Sequence, residues 1–497
     1  MQVNKLNIRL IFGLKVKHLR AQKGLSFAEL SRETGISVSY LNEIEKGKKY
    51  PKADKIALLA KALGVSFDHL VSLKLNKRLA PVAELLNSGM LNSIPLGMFG
   101  LEMSTVLDLI SAAPTKINAF INTLIKISRS YAMSEENFYF AALRSYQEMH
   151  NNYFEELETS VDNFVREYNI NTNPPVARKH LIDILIKRFY YNIDRESMRQ
   201  FPELASFRSV FVKEKRRLYI NDSLTQMQQS FIIGKEIAFH YLQLEERPYT
   251  SNLFQVSSFE EVLNNFKASY FSVALLMNRH QFIRDLSHFF DRESWDTESF
   301  RNIIDKYEAS PEMFLHRLTN LLPKYFGIDN FFFIRVNETV SEVREYHITK
   351  ELHFSRLHNP HRNDVHQHYC RRWISIKSFE HLAKMEQESS SRGFLVDVQR
   401  AMFIGTQNEY LTICITRPNS PTPESNVSVS MGIQIDAAAK RRIRFLNNNE
   451  LPIEMVNETC QKCSLMDCEQ RVAPPSVLES AKSQELIQKK LEELKVL

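Results

Sequence analysis

The sequence predicts a mostly α-helical chain that ends in an α+β part. Three observations predict it. Only 13 Gly occur in 497 residues, so turn-rich β repeats are scarce. Apolar residues recur at helical spacing through the N-terminal third. Past residue 331 the pattern changes to short apolar runs at 394–398, 410–415 and 427–433, which read as strands. The length allows two to four domains. The organisation expected is a basic head over 1–78, a helical connector over 79–164, a middle domain over 165–340, a cysteine-containing domain over 341–475 and a terminal helix over 476–497.

Composition narrows the class. With 43% hydrophobic and 25% charged residues, the chain reads as an ordinary soluble protein. The longest apolar stretches, such as 270–277, are far too short to span a bilayer, and residues 1–7 hold no signal region. A cytoplasmic location without membrane contact is expected. Five Cys then argue for reduced thiols or a metal site rather than a disulfide framework. The net charge of +6 is uneven: residues 1–78 hold 16 Lys and Arg against 6 Asp and Glu. A basic head on a mildly acidic body suits a polyanionic partner.

In the head, Phe12, Val16 and Leu19 line one face of a first helix, which Gly24 ends. Ser26 and Glu29 have the spacing of a capping box. Ala28 and Leu30 are expected to point inward on a short second helix. Gly35 makes the turn, Ile36 packs beneath it, and Ser37 caps a third helix ending near Gly47. Two more helices follow, with Ile56, Leu59, Ala60 and Leu63 on one face, then Phe67, Leu70 and Val71. Two short helices joined through a Gly turn suit entry into the major groove. Ser37, Ser39, Tyr40 and Asn42 are expected on the outer face of the third helix, where hydroxyls and an amide can read base edges. Lys46, Lys48 and Lys49 would meet phosphates, and Ser26, opening the second helix, completes the candidate DNA-binding set.

Residues 25–51 resemble the Xre/Cro/phage-repressor helix-turn-helix family, which implies a five-helix lambda-repressor-like domain on double-stranded operator DNA. Phe27 stands where that family often has Gln, which removes one usual base contact.

In the connector, Pro81, Gly89, Pro95, Gly97 and Gly100 read as a hinge. Helical spacing resumes at Val106, Leu109, Ile110, Ile117, Phe120, Leu124 and Ile127, and another helix is expected to open over 149–158. The middle domain resembles the ImmA/IrrE metallopeptidase-like domain, carried by residues 230–242 and 266–277. An active member needs two His four apart around Zn and a Glu to activate water. Here that register reads Lys235-Glu236-Ile237-Ala238-Phe239, so only the Glu survives. The third, acidic ligand aligns near Asn265, and His240 shares a helix face with Glu236. No catalytic residue is assigned. A cleft without its catalyst suits a ligand pocket, with Tyr270, Phe271, Leu275, Leu276 and Met277 as lining or core.

Six His between 347 and 368 sit among Asn, Pro and Arg, which reads as a loop. Cys460, Cys463 and Cys468 crowd three thiolates into nine residues, a pattern a cation would stabilise. Cys370 offers a fourth, and a four-thiolate set suits Zn or an iron–sulfur cluster. Cys414 reads as a buried core thiol. The chain resembles the short-chain fatty acyl regulators, the RamB-like branch of Xre regulators. The resemblance rests on Cys370–Trp373, on Cys460-x-x-Cys463-x-x-x-x-Cys468 with Gln470-Arg471 and Pro474-Pro475, and on His316-Arg317-Leu318 before 331–336. It implies a regulator of short-chain acyl metabolism with an acyl-CoA or related small-molecule effector. The terminal helix carries Ile487, Leu491 and Leu494 on one face. A homodimer is expected, because helix-turn-helix proteins commonly read two half-sites. A metallopeptidase acting as an anti-repressor, and a redox or metal sensor built on the Cys cluster, stay open beside the metabolite-responsive regulator.

Overall fold

The computed structural model describes residues 5–72, 135–251, 256–340, 344–354, 368–388, 393–406, 408–419, 425–448 and 450–496. The hinge and helical pattern expected over 79–134 lie outside them. The chain divides into two compact units, 1–146 with 256–260, and the remainder.

The head consists of α1 (Lys5–Gln22), α2 (Phe27–Thr34), α3 (Val38–Glu45), α4 (Ala53–Leu63) and α5 (Phe67–Val71). Their shared core holds Phe12, Val16, Leu30, Ile36, Leu41, Ile44, Ile56, Leu59, Leu63 and Leu70. The capping box forms as its spacing requires: the Glu29 amide donates to Ser26 Oγ, and the Ser26 amide donates to Glu29 Oε2 at 2.7 Å. Gly35 takes φ +67° at the end of α2, where a side chain would be strained. One expectation fails. Ala28 is exposed, and Phe27 packs against the core instead. Leu30 and Thr34 are the buried positions of α2, and Phe27 lies three and seven residues before them, on the same face.

After α6 (Glu135–Met149), most of which belongs to the first unit, a turn leads into α7 (Glu155–Glu167) of the second, so the helix expected over 149–158 opens only at Glu155. After α8 (Arg178–Lys187) come β1 (Asn192–Asp194), β2 (Ser209–Val212) and β3 (Arg217–Ile220), a three-stranded sheet of order β1-β3-β2. Five helices follow: α9 (Gln226–Tyr241), α10 (Phe259–Leu276), α11 (Arg279–Phe290), α12 (Thr297–Lys306) and α13 (Pro311–Leu321). Tyr270, Phe271, Leu275, Leu276 and Met277 are all buried. Arg317 on α13 is wholly buried, places Nη1 and Nη2 at 2.5 and 3.0 Å from the Glu158 carboxylate on α7, and donates through Nε to the Met277 carbonyl. Tyr270 Oη donates to the same carboxylate at 2.8 Å, so the buried pair is fully hydrogen-bonded, as such pairs must be.

The C-terminal part is a six-stranded sheet of order β5-β4-β8-β7-β6-β9, formed by β4 (Phe331–Val340), β5 (Arg344–His353), β6 (Leu395–Phe403), β7 (Glu409–Pro418), β8 (Ser425–Gln434) and β9 (Ile453–Val456). The β6–β9 pair is parallel and the others antiparallel. On one face Phe332, Ile334, Val336, Ala401, Phe403 and Tyr410 pack with Trp373 and with Ile376 and Phe379 of α14 (Ile374–Glu388). On the other face α13 packs against β4 and β8. The His-rich stretch is therefore not all loop: His347 and His353 lie on β5, and His358, His361 and His366 fall outside the described residues. The alternation of Tyr346 and Ile348 against polar neighbours makes the strand, and pairing with β4 completes it. The chain closes with α15 (Ala437–Arg442) and α16 (Ser476–Val496). Along α16 the side chains of Ile487, Leu491 and Leu494 are exposed. Among the described residues no helix is long and apolar enough to cross a membrane.

Candidate functional sites

The head presents a polar, basic face. Ser26, Ser37, Ser39, Asn42, Lys46, Lys48 and Lys49 are exposed, and Tyr40 is half-buried against the core with the Lys55 ammonium 4.3 Å from its ring centroid. Ser37 Oγ accepts from the Tyr40 amide at 3.3 Å, which starts α3 at its outer end. Two features missed at the level of sequence hold α3 in place. Arg20 on α1 donates to both oxygens of buried Glu45 at 2.6 and 2.9 Å. A Cβ on Gly13 would stand 2.4 Å from the Ile44 carbonyl oxygen, so only glycine lets α1 approach α3 this closely. Lys15 Nζ donates to the carbonyls of His69 and Ser72 at 2.7 and 2.5 Å, tying α1 to the end of α5.

In the middle domain the one surviving peptidase residue is occupied. Arg247 Nη2 lies 2.7 and 2.8 Å from the two Glu236 oxygens, and Tyr191 Oη donates to Oε2 at 2.9 Å. The guanidinium lies between the Phe239 and Phe211 rings, 3.9 and 4.2 Å from their centroids. A guanidinium thus neutralises the Glu236 carboxylate. Lys235 is buried beside it, and burial, above the opposing pull of Glu236, brings its ammonium down to about 8. His240 stacks on Phe189 at 5.3 Å, and burial, then Arg247, lowers its pKa. Asn265 keeps a buried Oδ1 without a partner among the described residues. Arg247 lies eleven residues past Glu236 and carries no spacing signal.

Four cysteines line one cavity in the C-terminal part. Tyr369 and Thr459 form an isolated antiparallel bridge. The Cys370 amide donates to the Glu458 carbonyl at 3.2 Å, and the Cys460 amide to the His368 carbonyl at 3.0 Å. Cys370, Cys460, Cys463 and Cys468 consequently line one cavity of about 10 Å³. Arg471 stitches the turn by donating to the carbonyls of Cys460, Cys463, Leu465 and Ala473. Burial pushes the Cys370 thiol up, and neighbouring Cys460 and Cys463 add to the rise. Four thiols are the donor type a thiophilic metal prefers, and the volume is roughly that of one water-sized sphere. The sulfurs stop short of a closed shell: among the described residues no three His, Cys, Asp or Glu side chains are grouped to hold a metal ion. Cys414 is a core thiol, fully buried against Ser378 at 3.3 Å.

Comparisons with known proteins agree with this layout. Residues 16–70 match the helix-turn-helix family model, and residues 190–319 match the IrrE N-terminal-like domain. A propionyl-CoA carboxylase regulator of Cereibacter sphaeroides is 20% identical over 485 residues, 94% of this chain and 95% of its own length. The control protein C.BamHI of Bacillus amyloliquefaciens is 40% identical over 60 residues, 12% of this chain and 74% of its own. Among solved structures, a Mycobacterium tuberculosis transcriptional regulator superposes with TM-score 0.48 at 16% identity, over 68% of this chain and 93% of its own. The chain is a transcriptional regulator in which a helix-turn-helix DNA-binding domain is followed by an IrrE-like domain.

Proposed function

We propose that the protein binds a specific operator as a homodimer and that a short-chain acyl-CoA or related metabolite changes its operator affinity. The exposed α3 face carries the reading: Ser37, Ser39 and Asn42 can contact base edges while Lys46, Lys48 and Lys49 meet phosphates. The effector class comes from the resemblance to short-chain acyl regulators and from the Cereibacter sphaeroides relative. An effector acts only through its differential affinity for two placements of the heads. The test is operator selection with the purified chain, followed by binding titrations at two salt concentrations with and without propionyl-CoA. Operator affinity unchanged by acyl-CoA sinks the effector part, and absence of a selected sequence sinks the whole.

The four-thiol cavity favours a second, compatible reading in which Cys370, Cys460, Cys463 and Cys468 hold one Zn or an iron–sulfur cluster. Zn there would be a structural clip, and a cluster would add a redox response. The peptidase reading is disfavoured, because Glu236 is paired with Arg247. Peptide cleavage lost in Glu236→Gln would revive it.

A further inference from the structure

On the sheet face that α13 covers, cations outnumber carboxylates. Arg335 on β4 pairs in register with Lys350 on β5, so both project to the same face. Phe333 lies two residues before Arg335 on that face, and His316 of α13 stacks on its ring at 4.3 Å. Arg417 stands two strands away on β7, with Val427 of β8 opposite it. Glu312, in the first turn of α13, reaches Lys350 at 3.2 Å and Arg335 at 3.7 Å. Arg417 donates to the Pro418 carbonyl at 2.9 Å and forms no ion pair among the described residues. Arg208 adds positive potential at Glu312, Arg335 and Arg417. His316 Nε2 is buried without a partner among the described residues. The N-terminal end of α13 adds its own partial positive charge.

Three cations thus share one carboxylate in a partly buried place, where like charges are costly unless an anion offsets them. Burial, then Arg208, brings the Arg417 guanidinium down to about 10 despite Glu312. We propose that Arg335, Lys350 and Arg417 form an anion site, and that its ligand carries a phosphate or diphosphate group. Planar guanidinium forks match phosphate oxygens. A monocarboxylate brings a single charge and leaves half of that excess uncompensated, so a free short-chain acid is the wrong class of ligand. The inference stands apart from the effector reading, because a nucleotide, a coenzyme A or free pyrophosphate presents the same chemistry.

The test is calorimetry on the full chain with pyrophosphate, coenzyme A and acetate, together with thermal unfolding. Pyrophosphate should bind and raise the unfolding midpoint, while acetate at the same concentration should do neither. Arg417→Gln should weaken pyrophosphate about tenfold or more, the loss of one charge-assisted contact, without lowering the midpoint of the unliganded protein. Lys350→Gln, at a half-exposed position, should weaken binding too and covers the case in which Arg417→Gln does not fold. Coenzyme A that competes with pyrophosphate supports the site and names an organic source; pyrophosphate binding alone supports it with an inorganic or nucleotide source. No pyrophosphate binding, or equal binding to wild type and both variants, overturns the proposal. Pyrophosphate binding lost in both variants, with a coenzyme A thioester still shifting their operator affinity as in wild type, supports this site and puts the effector elsewhere.

Discussion

Arg247 holds Glu236 by a single terminal nitrogen placed 2.7 and 2.8 Å from the two carboxylate oxygens. Both side chains are buried, and Tyr191 supplies one more donor to the same carboxylate. Removing one partner leaves an uncompensated buried charge. Arg247→Ala should cost about 3–5 kcal/mol, whereas Glu236→Leu with Arg247→Met should be neutral or stabilising. Denaturant unfolding of the single and double variants measures this. A single variant that unfolds like wild type would show that the carboxylate has another partner.

Asn42 and Lys48 should separate on DNA. Asn42→Ala should lose about 1–3 kcal/mol on the selected operator and little on random duplex. Lys48→Ala should weaken both alike and reduce the salt slope by about one. The measurement is a set of titrations across salt on both duplexes. Equal losses for Asn42→Ala on the two duplexes would remove its base-reading role.

Gly13 should tolerate no side chain. The Ile44 and Glu45 carbonyl oxygens stand 2.4 and 2.8 Å from where a Cβ would sit, and backbone atoms cannot yield as side-chain ends do. Gly13→Ala should destabilise the head by about 1–3 kcal/mol and displace α3, weakening operator binding with it. Thermal unfolding and operator affinity, read together, check the coupling.

His316 makes stability pH-dependent. Burial, and then Lys350, lowers its pKa from 6.5 to about 3, with Glu312 pulling the other way and Phe333 covering the ring. The unfolded chain therefore binds a proton that the folded chain refuses between these values. This contribution is complete above about pH 6.5 and is lost as pH falls toward 3. His316→Gln should flatten the slope of unfolding free energy between pH 6.5 and 4. An unchanged slope would place the titration elsewhere.

Cys463→Ser reports on the thiol cavity. Protein purified without oxygen should carry stoichiometric zinc, or iron with sulfide, and the variant should lose it. Metal content with a visible spectrum decides between them. Wild-type protein free of metal would leave the four cysteines as plain thiols.

The helices of the head were legible in the sequence. The Ser26–Glu29 box, the Ser37 cap and the Gly35 turn act between residues at most four positions apart, so local chemistry suffices. The strands over 395–403, 409–418 and 425–434 were announced by apolar runs, and the loss of the zinc ligands by a single register at Lys235–Phe239. Ala28 was misplaced because the core face of an eight-residue helix depends on what packs against it. β5 was hidden because polar and His residues dilute its alternation and β4 completes it.

Determined by the sequence alone were therefore the helix-turn-helix elements, the missing peptidase ligands and the candidate thiols. The tertiary structure alone decided that Arg247 takes Glu236, that Cys370 meets a cluster some ninety residues later, and that Arg335, Lys350 and Arg417 share one face. Caps and turns are set by neighbours along the chain. The partner of a buried charge or thiol is set by which segments pack together, and sequence separation places no limit on that.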